Sequence, residues 1–206
     1  MVGTIICVVN ADREKGRRAD VFWLHLGGYF VGAAAMGFIV GALGGFLRRR
    51  ASVDLSGFTA LAVVGATGLL YSLREMRLLR VPAPQTFRQV PARLRLQLPA
   101  RQVALLYGLE LGTGLTTHST VTTFYVAVMW VFLVGDPALG ALGMTAYGLG
   151  RALPIFLIGR RPTSQDDRSR MVDLLAGRKS LVHLVNGLAL GFFGTCILVA
   201  GLITAR

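Results

Sequence analysis

The chain has 206 residues, of which 53% are hydrophobic and only 16% charged, with a mean hydropathy of +0.59. A soluble domain carries roughly a quarter of its residues as charge, so the composition excludes a water-soluble enzyme and points to an all-α integral membrane protein. The net charge of +12 would suit nucleic acid, but no basic and aromatic residues interleave in a separate domain, so no nucleic-acid partner is expected.

At the N-terminus, Met1 to Asn10 is apolar without a basic stretch ahead of it or a cleavage-type ending. It reads as a short membrane-entering stub and not as a signal peptide. Five longer apolar segments follow, at about 21–47, 57–73, 102–134, 137–159 and 180–204. A span needs roughly 20 such residues, so the expectation is a bundle of five full transmembrane helices plus the stub, forming one transmembrane domain over 1–206. The third segment is too long for a straight span: at about 1.5 Å per residue it would reach about 50 Å across a core of about 30 Å. Gly112 and Gly114, followed by Thr116, Thr117, Ser119, Thr120, Thr122 and Thr123, predict a broken helix around 112–123. Pro154 is expected to disturb the fourth segment in the same way.

The basic residues sit between the apolar segments. Loops 11–20, 74–101 and 160–179 are Arg- and Lys-rich, whereas the Asp136 turn has no basic residue and the C-terminus has only Arg206. The positive-inside rule places the three basic loops in the cytoplasm and the C-terminus outside. The triplet Arg48–Arg50 then falls on the outer side as the one violation. The Pro- and Arg-rich stretch 81–100 reads as a cytoplasmic linker on the lipid headgroups. The lipid bilayer is one expected partner and a membrane protein or larger complex another.

Tyr29, Gly32 and Gly41 recur in spacing as Tyr147, Gly150 and Gly159. This suggests half-repeats at about 1–80 and 101–206, inverted in the membrane in a 3+3-like architecture. Such folds place their sites on broken helices near the midplane. The first half lacks the counterpart of the polar span, so either the native start lies upstream of Met1 or half of a symmetric site is absent.

The run Leu111-Gly-Thr-Gly-Leu-Thr-Thr-His-Ser119, followed by Tyr147-Gly-Leu-Gly-Arg-Ala-Leu-Pro154, resembles the second half of the transmembrane domain of the cytochrome c biogenesis and thiol–disulfide interchange proteins of the CcdA and DsbD type. That resemblance covers roughly residues 20–204 and implies their fold, an inverted-repeat bundle, and their setting, a bacterial inner membrane. It does not carry over their chemistry. Thr117-His118 stands where the family has Pro-Cys, and Cys7 and Cys196 make no facing pair for thiol–disulfide exchange.

The intramembrane polar residues are the candidate site: Glu110, Thr116, Thr117, His118, Ser119, Thr120, Thr122 and Arg151. His118 can serve as polar glue, as a proton or substrate ligand, or as a weak candidate metal ligand. Glu110 is the natural partner of Arg151, because a buried guanidinium needs a carboxylate or carbonyls. His25 and His183 read as interfacial, and Asn186 and Gly187 as packing. No P-loop, haem-attachment or hydrolase motif is present, and no cofactor is indicated. Two functions are expected from this reading. One is a non-catalytic or accessory component of a membrane redox or cytochrome-maturation system, as the resemblance implies. The other is a small carrier for an ion or solute acting through Glu110, His118 and Arg151.

Overall fold

The computed structural model describes residues 18–51, 57–82, 98–114, 122–160, 177 and 179–204. These form six helices and, among the described residues, no strand: α1 Arg18–Ala51, α2 Gly57–Glu75, α3 Ala100–Thr113, α4 Thr123–Val134, α5 Pro137–Arg160 and α6 Lys179–Thr204. Three of these helices contain stretches long and apolar enough to cross a membrane: Val21–Arg50, Gly57–Glu75 and Ser180–Ile203. Their outward faces carry large apolar side chains such as Phe38, Ile39, Leu70, Phe192 and Ile203, as a helix facing hydrocarbon requires.

The expected five full spans are thus corrected to three among the described residues. The reason is clearest in the long third segment. It is divided between α3, 14 residues, and α4, 12 residues, and at about 1.5 Å per residue neither reaches across a core of about 30 Å. α3 ends at Gly114, whose φ of 67° is the left-handed conformation that glycine adopts without a Cβ penalty. Its N–H donates to the Glu110 carbonyl at 3.3 Å. α5 runs through Pro154 as one helix and is not broken there.

The inverted repeat finds no support. A Cβ on Gly32 would lie 2.3 Å from the Leu109 carbonyl oxygen, whereas a Cβ on Gly150 would meet nothing within 4 Å. The two glycines share a spacing and not an environment. The short N-terminal stub and most of the 81–100 linker lie outside the described residues.

The chain forms two compact units. One comprises residues 1–36, 86–118 and 145–176, the other 37–85, 119–144 and 177–206. In the first, the N-terminal part of α1 lies along α3 with almost no side chain between the backbones. Gly28 and Gly32 on α1 and Gly108 and Gly112 on α3 each form a Gly-x-x-x-Gly pair. A Cβ at Gly108 would sit 2.2 Å from the His25 carbonyl oxygen, and one at Gly112 would sit 2.1 Å from that of Tyr29. Residue numbers rise together along both helices, so they run parallel. Small residues at this spacing are how helices pack in lipid, where no hydrophobic force draws them together. His25 Nδ1 reaches the Ala104 carbonyl at 3.1 Å, and Tyr29 packs with Leu111 in the core.

In the second unit, α2 and α6 run antiparallel. Gly65 meets Gly194 and Leu198, Ser72 meets Gly187 and Gly191, and Leu61 meets Gly201. α4 joins them through Tyr71 and Tyr125, whose ring centroids are 6.3 Å apart, and through Thr67, whose hydroxyl points at the Met129 sulfur at 3.9 Å.

Candidate functional site

Among the described residues of the second unit, a polar arrangement gathers at the C-terminal end of α2. Glu75 is the last residue of that helix and its side chain is fully excluded from solvent. A lone ionised carboxylate so buried would be very costly, and the negative end of its own helix dipole adds to the penalty. Its surroundings offset both. Oε1 accepts the Thr122 backbone N–H at 2.7 Å and the Thr122 hydroxyl at 2.7 Å. Thr122 is the residue that opens α4 and makes no side-chain cap bond to that helix. A carboxylate 47 residues earlier in the chain therefore supplies the acceptor and the negative charge that a helix N-terminus favours.

The second oxygen, Oε2, is engaged by His183 Nδ1 of α6. The proton is assigned to Nδ1 because an ionised carboxylate only accepts. The imidazole is 30% exposed while the carboxylate is 0% exposed, so His183 is the face that this centre turns outward. Arg74 adds a long ion pair, Nη1 to Oε1 at 3.9 Å. One turn along α6, Asn186 Oδ1 accepts the Thr123 hydroxyl. Its Nδ2 is buried and, among the described residues, has no hydrogen-bond partner. The Ser72 hydroxyl, one turn before Glu75, donates to the Gly187 carbonyl at 2.6 Å. Two residues spaced i, i+3 on α2 thus engage α6, and two residues spaced i, i+3 on α6 engage α2 and the start of α4.

Chemically, the centre is an acceptor hub. Three donors fall on two carboxylate oxygens, and bonds to a charged acceptor are about twice as strong as neutral ones. The hub ties together the end of α2, the start of α4 and the first turns of α6. Among the described residues no three His, Cys, Asp or Glu side chains gather to hold a metal.

Of the candidate site residues read from the sequence, Thr122 is the one that this centre contains, and Thr123 of the expected helix break lies beside it. Thr116, Thr117, His118, Ser119 and Thr120 lie outside the described residues, as does Cys7; Cys196 is exposed on α6. Glu110 and Arg151 belong to the first unit. Glu110 Oε2 is buried and makes no hydrogen bond among the described residues. The Arg151 guanidinium lies 5.9 Å from the centroid of the Tyr147 ring, in the range of a cation–π contact. No ion pair between Glu110 and Arg151 occurs among the described residues.

Sequence reasoning missed Glu75 and read His183 and Asn186 as interfacial and packing residues. A signal was present. Glu75 is the sole acidic residue of the basic stretch 74–101, and Ser72/Glu75 and His183/Asn186 share one spacing.

No family model and no solved structure matches the chain. Comparison with curated proteins is informative. The chain is 35% identical over 146 residues to methylamine utilization protein MauF of Paracoccus versutus, covering 68% of this chain and 52% of that protein. It is 32% identical over 186 residues to MauF of Methylorubrum extorquens, covering 90% and 62%, and 34% identical over 146 residues to MauF of Paracoccus denitrificans, covering 68% and 51%. The chain spans a little over half the length of these relatives. The expected kinship with thiol–disulfide interchange proteins is therefore corrected: the relatives are named for methylamine utilization. The redox or cytochrome-maturation role falls with it, and the carrier alternative gains no support. By sequence, this chain is similar to proteins of methylamine utilization.

Proposed function

We propose that this chain belongs to a multi-pass protein of the bacterial inner membrane that serves methylamine utilization. The observation that carries the reading is the 32% identity extending over 90% of the chain to a relative named for that process. The three helices of membrane-crossing length and apolarity support the setting. In this reading the basic loops 11–20, 74–101 and 160–179 face the cytoplasm and the C-terminus lies outside. The Glu75 hub is then the polar joint that fixes three helices of the membrane-embedded body.

The test is genetic. The gene is disrupted in its host, and growth is followed with methylamine as the sole nitrogen source and, in parallel, with ammonium. Loss of growth confined to methylamine, restored by the intact gene, supports the proposal. Equal growth on both sources refutes it. A strain carrying Glu75→Ala should behave as the disruption does, and one carrying Glu75→Gln should retain part of the growth.

A further inference from the structure

We infer that the turn leaving α2 is a docking surface for the headgroups of anionic phospholipids. The helix ends in a Schellman arrangement: Leu78 N–H donates to the Leu73 carbonyl at 2.9 Å and Arg77 N–H to that of Arg74 at 2.9 Å. The residue in the left-handed position of this motif is ordinarily glycine. Here it is Arg77, with φ of 61°, a conformation that costs every residue with a Cβ. A second departure accompanies the first. The residue after the left-handed position ordinarily folds its apolar side chain back onto the helix, yet Leu78 is 65% exposed and Leu79 is 45% exposed.

Both departures turn side chains outward from one short segment. Arg77, Leu78, Leu79 and Arg80 are all exposed, and among the described residues neither the Arg77 nor the Arg80 guanidinium has a hydrogen-bond or ion-pair partner. The segment is not loose, because Arg74 Nε donates to the Val81 carbonyl at 2.6 Å and closes the turn. A fixed turn at the end of a 19-residue apolar helix therefore presents two guanidiniums and two leucines together. That combination fits the boundary of a bilayer. Leucines enter the acyl region, and guanidiniums bind phosphate through paired N–H donors. A zwitterionic headgroup offers the same phosphate without the net negative charge, so the surface favours anionic lipid.

The inference rests on the membrane setting and not on methylamine. The test uses the full chain purified in a neutral detergent, with thermal unfolding measured after addition of phosphatidylglycerol, phosphatidylcholine or inorganic phosphate. Phosphatidylglycerol should raise the midpoint of the parent more than phosphatidylcholine does, and phosphate should not. Arg77→Gly should unfold no earlier than the parent without added lipid, because the backbone cost is removed. With Arg80→Gln added, it should lose most of the phosphatidylglycerol shift. Arg77→Asn, which tolerates the left-handed conformation, gives a second variant with the charge removed. An unchanged shift in the double variant overturns the inference, and so does an equal shift with inorganic phosphate. A chain that stays dispersed without detergent overturns both this inference and the membrane reading. A chain that needs detergent but ignores phosphatidylglycerol overturns this inference alone.

Discussion

Replacing Glu75 by alanine removes the acceptor of three donors at once. Two of them, the Thr122 N–H and hydroxyl, are buried with Thr122 itself, which is only 2% exposed. Leaving a buried donor unsatisfied costs about 1–3 kcal/mol, so the two together cost about 2–6 kcal/mol. His183, being 30% exposed, can turn to water and adds little. For a chain of this size about 1 kcal/mol moves the unfolding midpoint by roughly 2–4 °C, so Glu75→Ala should unfold on the order of 10 °C earlier. The assay is thermal unfolding in detergent followed by tryptophan fluorescence, with Trp130 reporting from the same unit. A double-mutant cycle with Thr122→Ala isolates the hydroxyl–carboxylate bond, whose coupling should be about 1.5–3 kcal/mol because the acceptor is charged. Midpoints for Glu75→Ala and parent within about 2 °C, less than a single kcal/mol would give, would refute the view of Glu75 as a hub, as would a coupling energy near zero.

Gly108→Ala should destabilise the chain by about 1–3 kcal/mol through overpacking, since its Cβ would fall 2.2 Å from the His25 carbonyl. Gly27→Ala, with nothing within 4 Å, should be neutral or stabilising through helix propensity; the same melts read both, and equal effects would contradict the close approach of α1 and α3. Ser72→Ala should cost about 1 kcal/mol for its bond to the Gly187 carbonyl, measured against Thr195→Ala, whose hydroxyl bonds only within its own exposed turn. Thr123→Val should loosen α6 against α4, detected as faster proteolysis or hydrogen exchange in the first turns of α6.

How much of this could be read from the sequence differs by feature. Apolar length identifies three membrane-length helices among the described residues, because hydropathy is a property of contiguous residues. The Gly-x-x-x-Gly pairs also announce close helix approach, though not which helices meet. Gly28 finds α3 across an intervening span. The Glu75 hub is harder to see because its members are 47 and 108 residues apart and each taken alone resembles an interfacial residue. Glu75 in particular hides in a run of arginines, where a carboxylate looks solvated. The repeat failed for a related reason: equal spacing of Tyr and Gly fixes positions on a helix but not what lies opposite them.

The hub also has a history within each round of synthesis. Glu75 leaves the ribosome 108 residues before His183, and at about 5–20 residues per second that interval is roughly 5–20 s. Over that time a carboxylate at the end of an apolar helix waits with its last donor unmade. Thr122 arrives first and His183 second, so the joint closes only after the first turns of α6 have been made. Synthesis of α6 and satisfaction of the second Glu75 oxygen are thus one event.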